Sequence, residues 1–407
     1  MRVTFLNPVG VIGGAERVLL AVLRSVREQH PDFTPTVILL NDGPLTLAAE
    51  KLGAVVRVVP LPSTLAGFGD TQFRDAGRLR QLGRTAFTLL RSTPALARFV
   101  VQLRQELRAS RPQIVHSNGL KTHIFSVFAR PTGAHLVWHV HDFYSHRPLI
   151  ANVLKRFQRK VSGGVAISDA VKRDTQNVLP KLPITVVPNA VDTDHFHPVN
   201  RDGRELDRLA GLPVAASDTV RVGLIATYAN WKGHAVFLEA LAKLGLEAGT
   251  VRGYIIGGPI YSTAGSQVTR LELEQRVVDL GLSGRVGFVP FQPDPVLVYQ
   301  MLDVVVHAST RPEPFGLTIA EAMSCGKPVI VAAAGGAVEL FTPGHDAIGH
   351  EPGNVTLLAD AISALTSNPQ LRSQLGTNAR QTAITRFSLS RFGQQMVALY
   401  QDVLKAK

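Results

Sequence analysis

Residues 311–340 read RPEPFGLTIAEAMSCGKPVIVAAAGGAVEL, and the alternation of rigid loop, helix and apolar strand in this stretch decides the class of fold. Pro312, Pro314 and Gly316 hold the opening residues out of a helix. Leu317 to Ser324 are good helix formers, and Gly326 supplies a C-terminal stop. A loop therefore feeds a helix start. The N–H groups of Phe315, Gly316, Leu317 and Thr318 are the donors of that first turn, at the positive end of the helix dipole, and such a turn suits a phosphate. Glu313 in the loop and Glu321 in the helix flank the same point. Carboxylates accept hydrogen bonds from hydroxyls, so the pattern points to a ligand carrying both phosphate and sugar. Pro328 to Ala333 then form an apolar run of buried-strand length, and Gly335-Gly336 opens a second phosphate-sized turn before the next helix.

Working outward, the same alternation covers most of the chain. Val3 to Leu6 is an apolar strand, Asn7 to Gly14 a loop with Gly10, Gly13 and Gly14, and Ala15 to Arg27 a helix with Val18, Leu19, Val22, Leu23 and Val26 on its inner side. Further strands are expected at Thr36 to Leu40, Val55 to Val59, Ile114 to His116, Leu136 to Val140 and Gly164 to Ile167. The glycine spacing differs from the dinucleotide fingerprint, so no nicotinamide site is read. Asn200 to Asp218 is polar, lacks an apolar strand and marks a domain boundary. From Val222 the pattern restarts: strand VGLIA, helix His234 to Leu244, strand Gly253 to Gly257, helix Thr269 to Leu280, strand Val286 to Val289, helix Val296 to Leu302 and strand Val304 to His307. This alternation predicts an α/β chain with a doubly wound parallel sheet in each half, ligands binding at the carboxyl ends of the strands.

Residues 311–340 resemble the donor-binding signature of family four glycosyltransferases, retaining enzymes of the two-domain GT-B fold. The motif E-x-F-G-x-x-x-x-E-A-x-x-x-G-x-P-V-I is carried as Glu313, Phe315, Gly316, Glu321, Ala322, Gly326, Pro328, Val329 and Ile330. The resemblance implies two Rossmann-like domains facing a central cleft: 1–199 on the acceptor side, 200–385 binding a nucleotide-sugar donor, and a helix in 386–407 crossing back to the first domain. VVPNAVDTDHFHP, Val186 to Pro198, is similar to the family's interdomain marker. By the same resemblance Glu313 faces the transferred sugar, Glu321 binds ribose hydroxyls, and GGAERVLL places Gly13 and Gly14 near the donor phosphates or acceptor. His141 lies against donor sugar and acceptor, Lys232 meets the departing pyrophosphate, and RVGFVPF, Arg285 to Phe291, contacts the base through its backbone. One position departs from the pattern: Thr227 stands where the family has an arginine. The implied activity is retaining transfer of a sugar to a hydroxyl acceptor, a glycan, lipid-linked group or small molecule, in cell-surface polysaccharide or glycoconjugate synthesis. A nucleotide-sugar epimerase, a phosphorylase and a non-catalytic nucleotide-sugar binder remain alternatives on the same fold.

The residue chemistry agrees with an anionic sugar ligand. Lys232, in Trp231-Lys232-Gly233-His234 at a helix start, is a point charge suited to a diphosphate. His139 and His141 in WHVHD share one face of a strand, which raises a metal site; a metallohydrolase would want a further histidine after Asp142, where Phe143 stands, so no metal is expected. His139 reads as a core histidine, whereas the His141 imidazole can bond a sugar hydroxyl. Asn118 and Lys121, in the loop after IVHSN, are acceptor-side candidates or solvated loop residues. No Asp-x-Asp metal-nucleotide motif follows a strand, so no divalent cation or other cofactor is called for.

A length of 407 residues exceeds one ordinary domain, and 45% hydrophobic content with 18% charge is ample for a core. The single cysteine, Cys325, fits a reducing compartment and reads as a small apolar residue. MRVTFLN has neither the apolar region nor the cleavage site of a signal peptide, and no apolar run reaches spanning length, so a cytoplasmic, non-integral protein is expected. The net charge of +12 is concentrated between Arg74 and Arg111, nine arginines around Leu79, Leu82, Phe87, Leu90, Phe99, Val100, Leu103 and Leu107. This reads either as a solvated arginine face over a core or as a peripheral contact with an anionic membrane. A nucleic-acid partner is not expected, for interleaved aromatics and recognition motifs are absent.

Overall fold

The computed structural model describes residues 1–62, 78–245, 251–259 and 267–405, with the side chains of 78–93 left aside. It divides into two compact units, Met1–Asn189 with Leu389–Lys407, and Ala190–Ser388.

The first unit is built on a seven-stranded parallel sheet: β1 (Val3–Asn7), β2 (Thr36–Leu39), β3 (Val55–Val58), β4 (Ile114–Ser117), β5 (His135–Val140), β6 (Gly163–Ala166) and β7 (Ile184–Val186). Their spatial order is β3-β2-β1-β4-β5-β6-β7. The central strands β1, β4 and β6 are buried along their whole length, as expected where helices cover both faces. The chain runs outward from β1 in one direction and resumes at β4 in the other, so the switch point lies between these two strands. Helix Gly14–Gln29 covers the sheet with Val18, Leu19, Val22, Leu23 and Val26 buried, the residues its 3.6-residue period selects. The last helix, Leu389–Lys405, belongs to this unit; its Gly393 lies so close to Ser25 that a Cβ would overlap the Ser25 carbonyl.

The second unit carries a six-stranded parallel sheet: β8 (Val220–Ile225), β9 (Val251–Gly257), β10 (Val286–Pro290), β11 (Val304–His307), β12 (Val329–Ala332) and β13 (Ile348–His350), in the order β10-β9-β8-β11-β12-β13. Its switch point lies between β8 and β11, which pair in register Val304 with Val222 and Val306 with Leu224.

Three expectations change. Asn200 to Asp218 is not the domain boundary: it contains the helix Arg204–Leu209, whose Leu206 and Asp207 are buried in the second unit, and the division falls earlier, after Asn189. The helix expected within 386–407 starts only at Leu389, because Pro369–Phe387 runs on to an extended Ser388 before Leu389–Lys405 begins. The edge strands β7 and β13 are additional; each is three residues long and partly exposed, so neither leaves an apolar run to read.

Of the basic region, residues 74–77 and the side chains of 78–93, including Leu79, Leu82, Phe87 and Leu90, lie outside the described residues. In the remainder of helix Arg78–Ala109, Phe99, Leu103 and Leu107 are buried while Arg98, Arg104 and Arg108 are exposed, which is an arginine face over a core. No helix among the described residues is long and apolar enough to cross a membrane.

Candidate functional site

The stretch 311–340 folds as read, with helix Leu317–Ser324 starting at Gly316. Gly316 has φ of 108°, a conformation that favours glycine, and no side chain caps the turn. Loop 308–316 leaves β11 and meets its two neighbours. On one side Glu313 N–H donates to the Ala334 carbonyl (3.2 Å) and Gly336 N–H to the Glu313 carbonyl (2.7 Å); on the other, Thr310 N–H donates to the Trp231 carbonyl (2.7 Å). Three adjacent strand ends thus hold one loop.

The result is an ion pair: Lys232 Nζ lies 2.7 Å from Glu313 Oε2. The same oxygen accepts from Ser309 Oγ at 3.0 Å and faces His307 Nε2 at 3.4 Å. Burial alone would raise the Glu313 carboxyl, but the Lys232 charge and the His307 contact outweigh it and hold the group well below the usual carboxylate range. Glu321 is buried, and its Oε2 accepts from Tyr299 Oη at 2.8 Å. His307, Ser309 and Tyr299 were not among the residues singled out from sequence. Only His307 carried a signal, being the single polar residue at the carboxyl end of an apolar strand.

Lys232 ends a 3-10 turn, Asn230–Lys232, and Gly233 (φ 76°) turns the chain into helix His234–Lys243. A Cβ on Gly233 would overlap the Ala308 carbonyl oxygen. Gly233→Ala is therefore expected to cost at least about 1–2 kcal/mol for the left-handed backbone, with further displacement of the Lys232 loop from β11; chemical denaturation measures the first effect. Thr227 Oγ donates to the Gly258 carbonyl at 3.1 Å, so this hydroxyl serves the chain leaving β9. Phe291, after β10, is 44% exposed.

In the first unit the polar groups collect at the switch point. Asn118 follows β4 and is buried; its amide donates to Asn7 Oδ1 (2.8 Å) and the Ala15 carbonyl (3.2 Å), and its Oδ1 lies 2.7 Å from His141 Nε2. It is not a solvated loop residue. Lys121 falls in the first turn of helix Leu120–Ala129 rather than in the loop. Gly13 precedes helix Gly14–Gln29, and its N–H donates to Glu16 Oε2 (3.1 Å). His141 stacks on His139 with ring centroids 4.1 Å apart, and desolvation pushes its imidazole down to about 3, so it is neutral near pH 7. His139 is fully buried against His116 Nε2 (3.2 Å), which in turn meets Tyr400 of the last helix (2.9 Å). Among the described residues no group of three or more His, Cys, Asp or Glu is arranged to hold a metal ion. Cys325 is buried, and burial pushes its thiol up to about 12.

Residues 12–195 match the family model described as Glycosyltransferase Family 4, and residues 214–382 match that described as Glycosyl transferases group 1. The chain belongs to the family four, group 1 glycosyltransferases. Its two parallel-sheet α/β units are those of the GT-B fold class. Among curated relatives, D-inositol 3-phosphate glycosyltransferase of Corynebacterium urealyticum is 32% identical over 230 residues, 55% of this chain and 52% of that protein. N-acetyl-alpha-D-glucosaminyl L-malate synthase of Bacillus anthracis is 27% identical over 256 residues, 62% of this chain and 63% of that protein. The chain thus spans about half the length of the first curated relatives it matches. Among solved structures, Anabaena Alr3699/HepE in complex with UDP has a TM-score of 0.80 at 25% identity, covering 99% of this chain and 100% of that one. Its complex with UDP-glucose gives 0.79 at 26%, with coverage of 99% and 100%.

Proposed function

We propose that this chain is a retaining glycosyltransferase that moves a sugar from a nucleoside diphosphate sugar to a hydroxyl acceptor. The observation that carries the proposal is the Lys232–Glu313 pair at the switch point of the second sheet, beside a glycine-started helix and the buried Glu321. That arrangement matches the charges of the ligand. The donor diphosphate gains negative charge as it leaves, and Lys232 with the N–H groups of Phe315, Gly316, Leu317 and Thr318 supplies positive potential where that charge develops. With lysine and helix start in that role, the reaction is proposed to need no divalent cation. Thr227 contributes no charge, so the family's usual arginine has no counterpart at this position.

Glu313 faces the sugar and Glu321 the ribose, with the Tyr299 hydroxyl orienting the Glu321 carboxylate. The acceptor oxygen bonds to the anomeric carbon on the face from which the diphosphate departs. The bond from that carbon to the phosphate oxygen breaks, and the same phosphate oxygen takes the acceptor proton. His141 bonds a sugar hydroxyl, with Lys121, Gly13 and Gly14 on the acceptor and phosphate side and the buried Asn118 behind the imidazole. A uridine diphosphate donor is favoured because Anabaena Alr3699/HepE is described with UDP and UDP-glucose. The acceptor class proposed is a glycan or lipid-linked hydroxyl, used from the cytoplasm in cell-surface polysaccharide synthesis. A peripheral contact through Arg74 to Arg111 would bind anionic vesicles in a salt-sensitive way.

The test is ligand binding followed by transfer. UDP at a hundred times its dissociation constant should stabilise the protein by about 2.7 kcal/mol, with GDP and ADP as comparisons. Release of UDP from UDP-glucose should then require an acceptor, and the product should keep the anomeric configuration of the donor. Stabilisation by none of the diphosphates removes the proposal; UDP release without acceptor, or inversion, removes the retaining transfer.

A further inference from the structure

We infer that Glu16, Asn7 and Asn118 form a relay of fixed hydrogen-bond polarity that holds His141 in one tautomer, with N–H on Nε2 and a lone pair on Nδ1. The inference deepens the proposed function, resting on His141 as the group that meets a sugar hydroxyl, and it concerns how that group is set.

The relay starts at groups that only accept. Asn7 Nδ2 lies 2.7 Å from the Val9 carbonyl and 3.2 Å from the Glu16 carboxylate. Turning the Asn7 amide over would point its oxygen at both acceptors, so the amide has one orientation. Asn7 Oδ1 is therefore an acceptor, and the group 2.8 Å from it on Asn118 must be that residue's NH2. The Ala15 carbonyl, 3.2 Å from the same nitrogen, makes the same demand independently. Asn118 Oδ1 is then also fixed as an acceptor, and His141 Nε2, 2.7 Å away, must donate to it. In a neutral imidazole the proton on Nε2 leaves Nδ1 as the acceptor, and His141 Nδ1 makes no hydrogen bond to any described residue.

Glu16 has a second role at the head of the relay. Its Oε2 accepts the Gly13 N–H, so one buried carboxylate ties the glycine loop after β1 to the imidazole after β5. Asn7, Asn118 and Glu16 are 0%, 1% and 5% exposed, which keeps water from offering the amides alternative partners. The functional consequence is directional: Nδ1 accepts a hydrogen bond from a ligand hydroxyl and cannot donate one. These are positioning residues, acting through His141.

The test reads the tautomer directly. Histidine imidazoles are labelled with ¹⁵N, and the His141 pair is assigned by its loss in His141→Gln. In the wild-type chain above pH 7, His141 should show a protonated Nε2 and an unprotonated Nδ1. Asn118→Leu removes the acceptor and should leave a tautomer mixture, whereas Asn118→Asp gives up the donor to Asn7 Oδ1 and the Ala15 carbonyl but keeps an acceptor facing His141 and should keep Nε2–H. Glu16→Gln, with one acceptor oxygen in place of two, should shift the mixture in the same sense as Asn118→Leu. In transfer assays Asn118→Leu is expected to lower kcat/KM about tenfold or more, with Asn118→Asp recovering part of it.

A wild-type His141 carrying its proton on Nδ1 overturns the relay. So does a folded Asn118→Leu with an unchanged tautomer, and an unchanged Glu16→Gln removes Glu16 from it. If Asn118→Leu fails to fold, the wild-type spectrum and Asn118→Asp decide. Absence of transfer in the wild-type chain, with the tautomer as stated, strikes the proposed function and leaves the relay standing.

Discussion

Replacing Glu313 by glutamine is expected to lower kcat/KM for sugar transfer by about ten- to a thousandfold, the range for loss of a contact made in the transition state. The substitution keeps the volume and the backbone bonds to Ala334 and Gly336 but removes the charge that Lys232, Ser309 and His307 converge on. If Glu313 meets the sugar as proposed, UDP affinity should stay within about threefold of wild type, so the loss appears in turnover. Calorimetry with UDP and initial rates with UDP-sugar separate the two. Transfer within about threefold of wild type would take Glu313 out of the chemistry. The pH dependence has a defined sign. The folded Glu313 carboxyl lies below its unfolded value of 4.5, so the pair's contribution to stability is present above that value. It is lost as pH falls from there toward the depressed folded value. A Glu313→Gln chain should accordingly show a shallower loss of stability on acidification than wild type, in denaturant titrations between neutral and acid pH.

The second large effect is structural. Asp207 sits fully buried in helix Arg204–Leu209 and receives Arg221 Nη2 at 2.9 Å, the Ala215 N–H at 2.9 Å and the Tyr254 hydroxyl, with Arg252 3.4 Å away. Burial by itself would raise the Asp207 carboxyl, but the bonds from Arg221 and Tyr254 hold it below its ordinary value. Arg221 is itself 3% exposed. Asp207→Ala therefore leaves a buried guanidinium without a counter-charge, and the expected destabilisation is about 3–5 kcal/mol. Replacing Asp207 and Arg221 together by leucine should recover much of that loss, because removing both charges also removes their desolvation cost. The chain has Trp138 in the first unit and Trp231 in the second. In a Trp138→Phe background, Trp231 fluorescence during denaturant unfolding reports the second unit. A loss below about 1 kcal/mol would mean that the cluster is solvated in solution.

Much of this could be read before any coordinates. The α/β alternation gave the strands of both sheets because parallel strands buried on both faces are continuous apolar runs, as Val304–His307 and Val329–Ala332 are. Helix Leu317–Ser324 was bounded to the residue by proline, glycine and helix propensity. Such local rules failed where tertiary contacts choose the structure. Arg204–Leu209 fell in the stretch read as a domain boundary because its apolar content is low; it is part of the core because Asp207 meets Arg221, 14 positions later. Strand β13 is short and partly exposed and exists by pairing with β12.

The sequence by itself determined the family, the fold of each half, and the residue types of the candidate site, because these depend on composition and on spacing within short windows. It named Lys232 and Glu313 but not their contact, which joins residues 81 positions apart through the adjacency of β8 and β11. It named His141 and Asn118 but not the buried Asn7 and Glu16 behind them, since Asn7 lies 111 positions from Asn118. Only the tertiary structure decided those pairings, because sheet order sets which strand ends meet, and sheet order is fixed by packing across the whole domain.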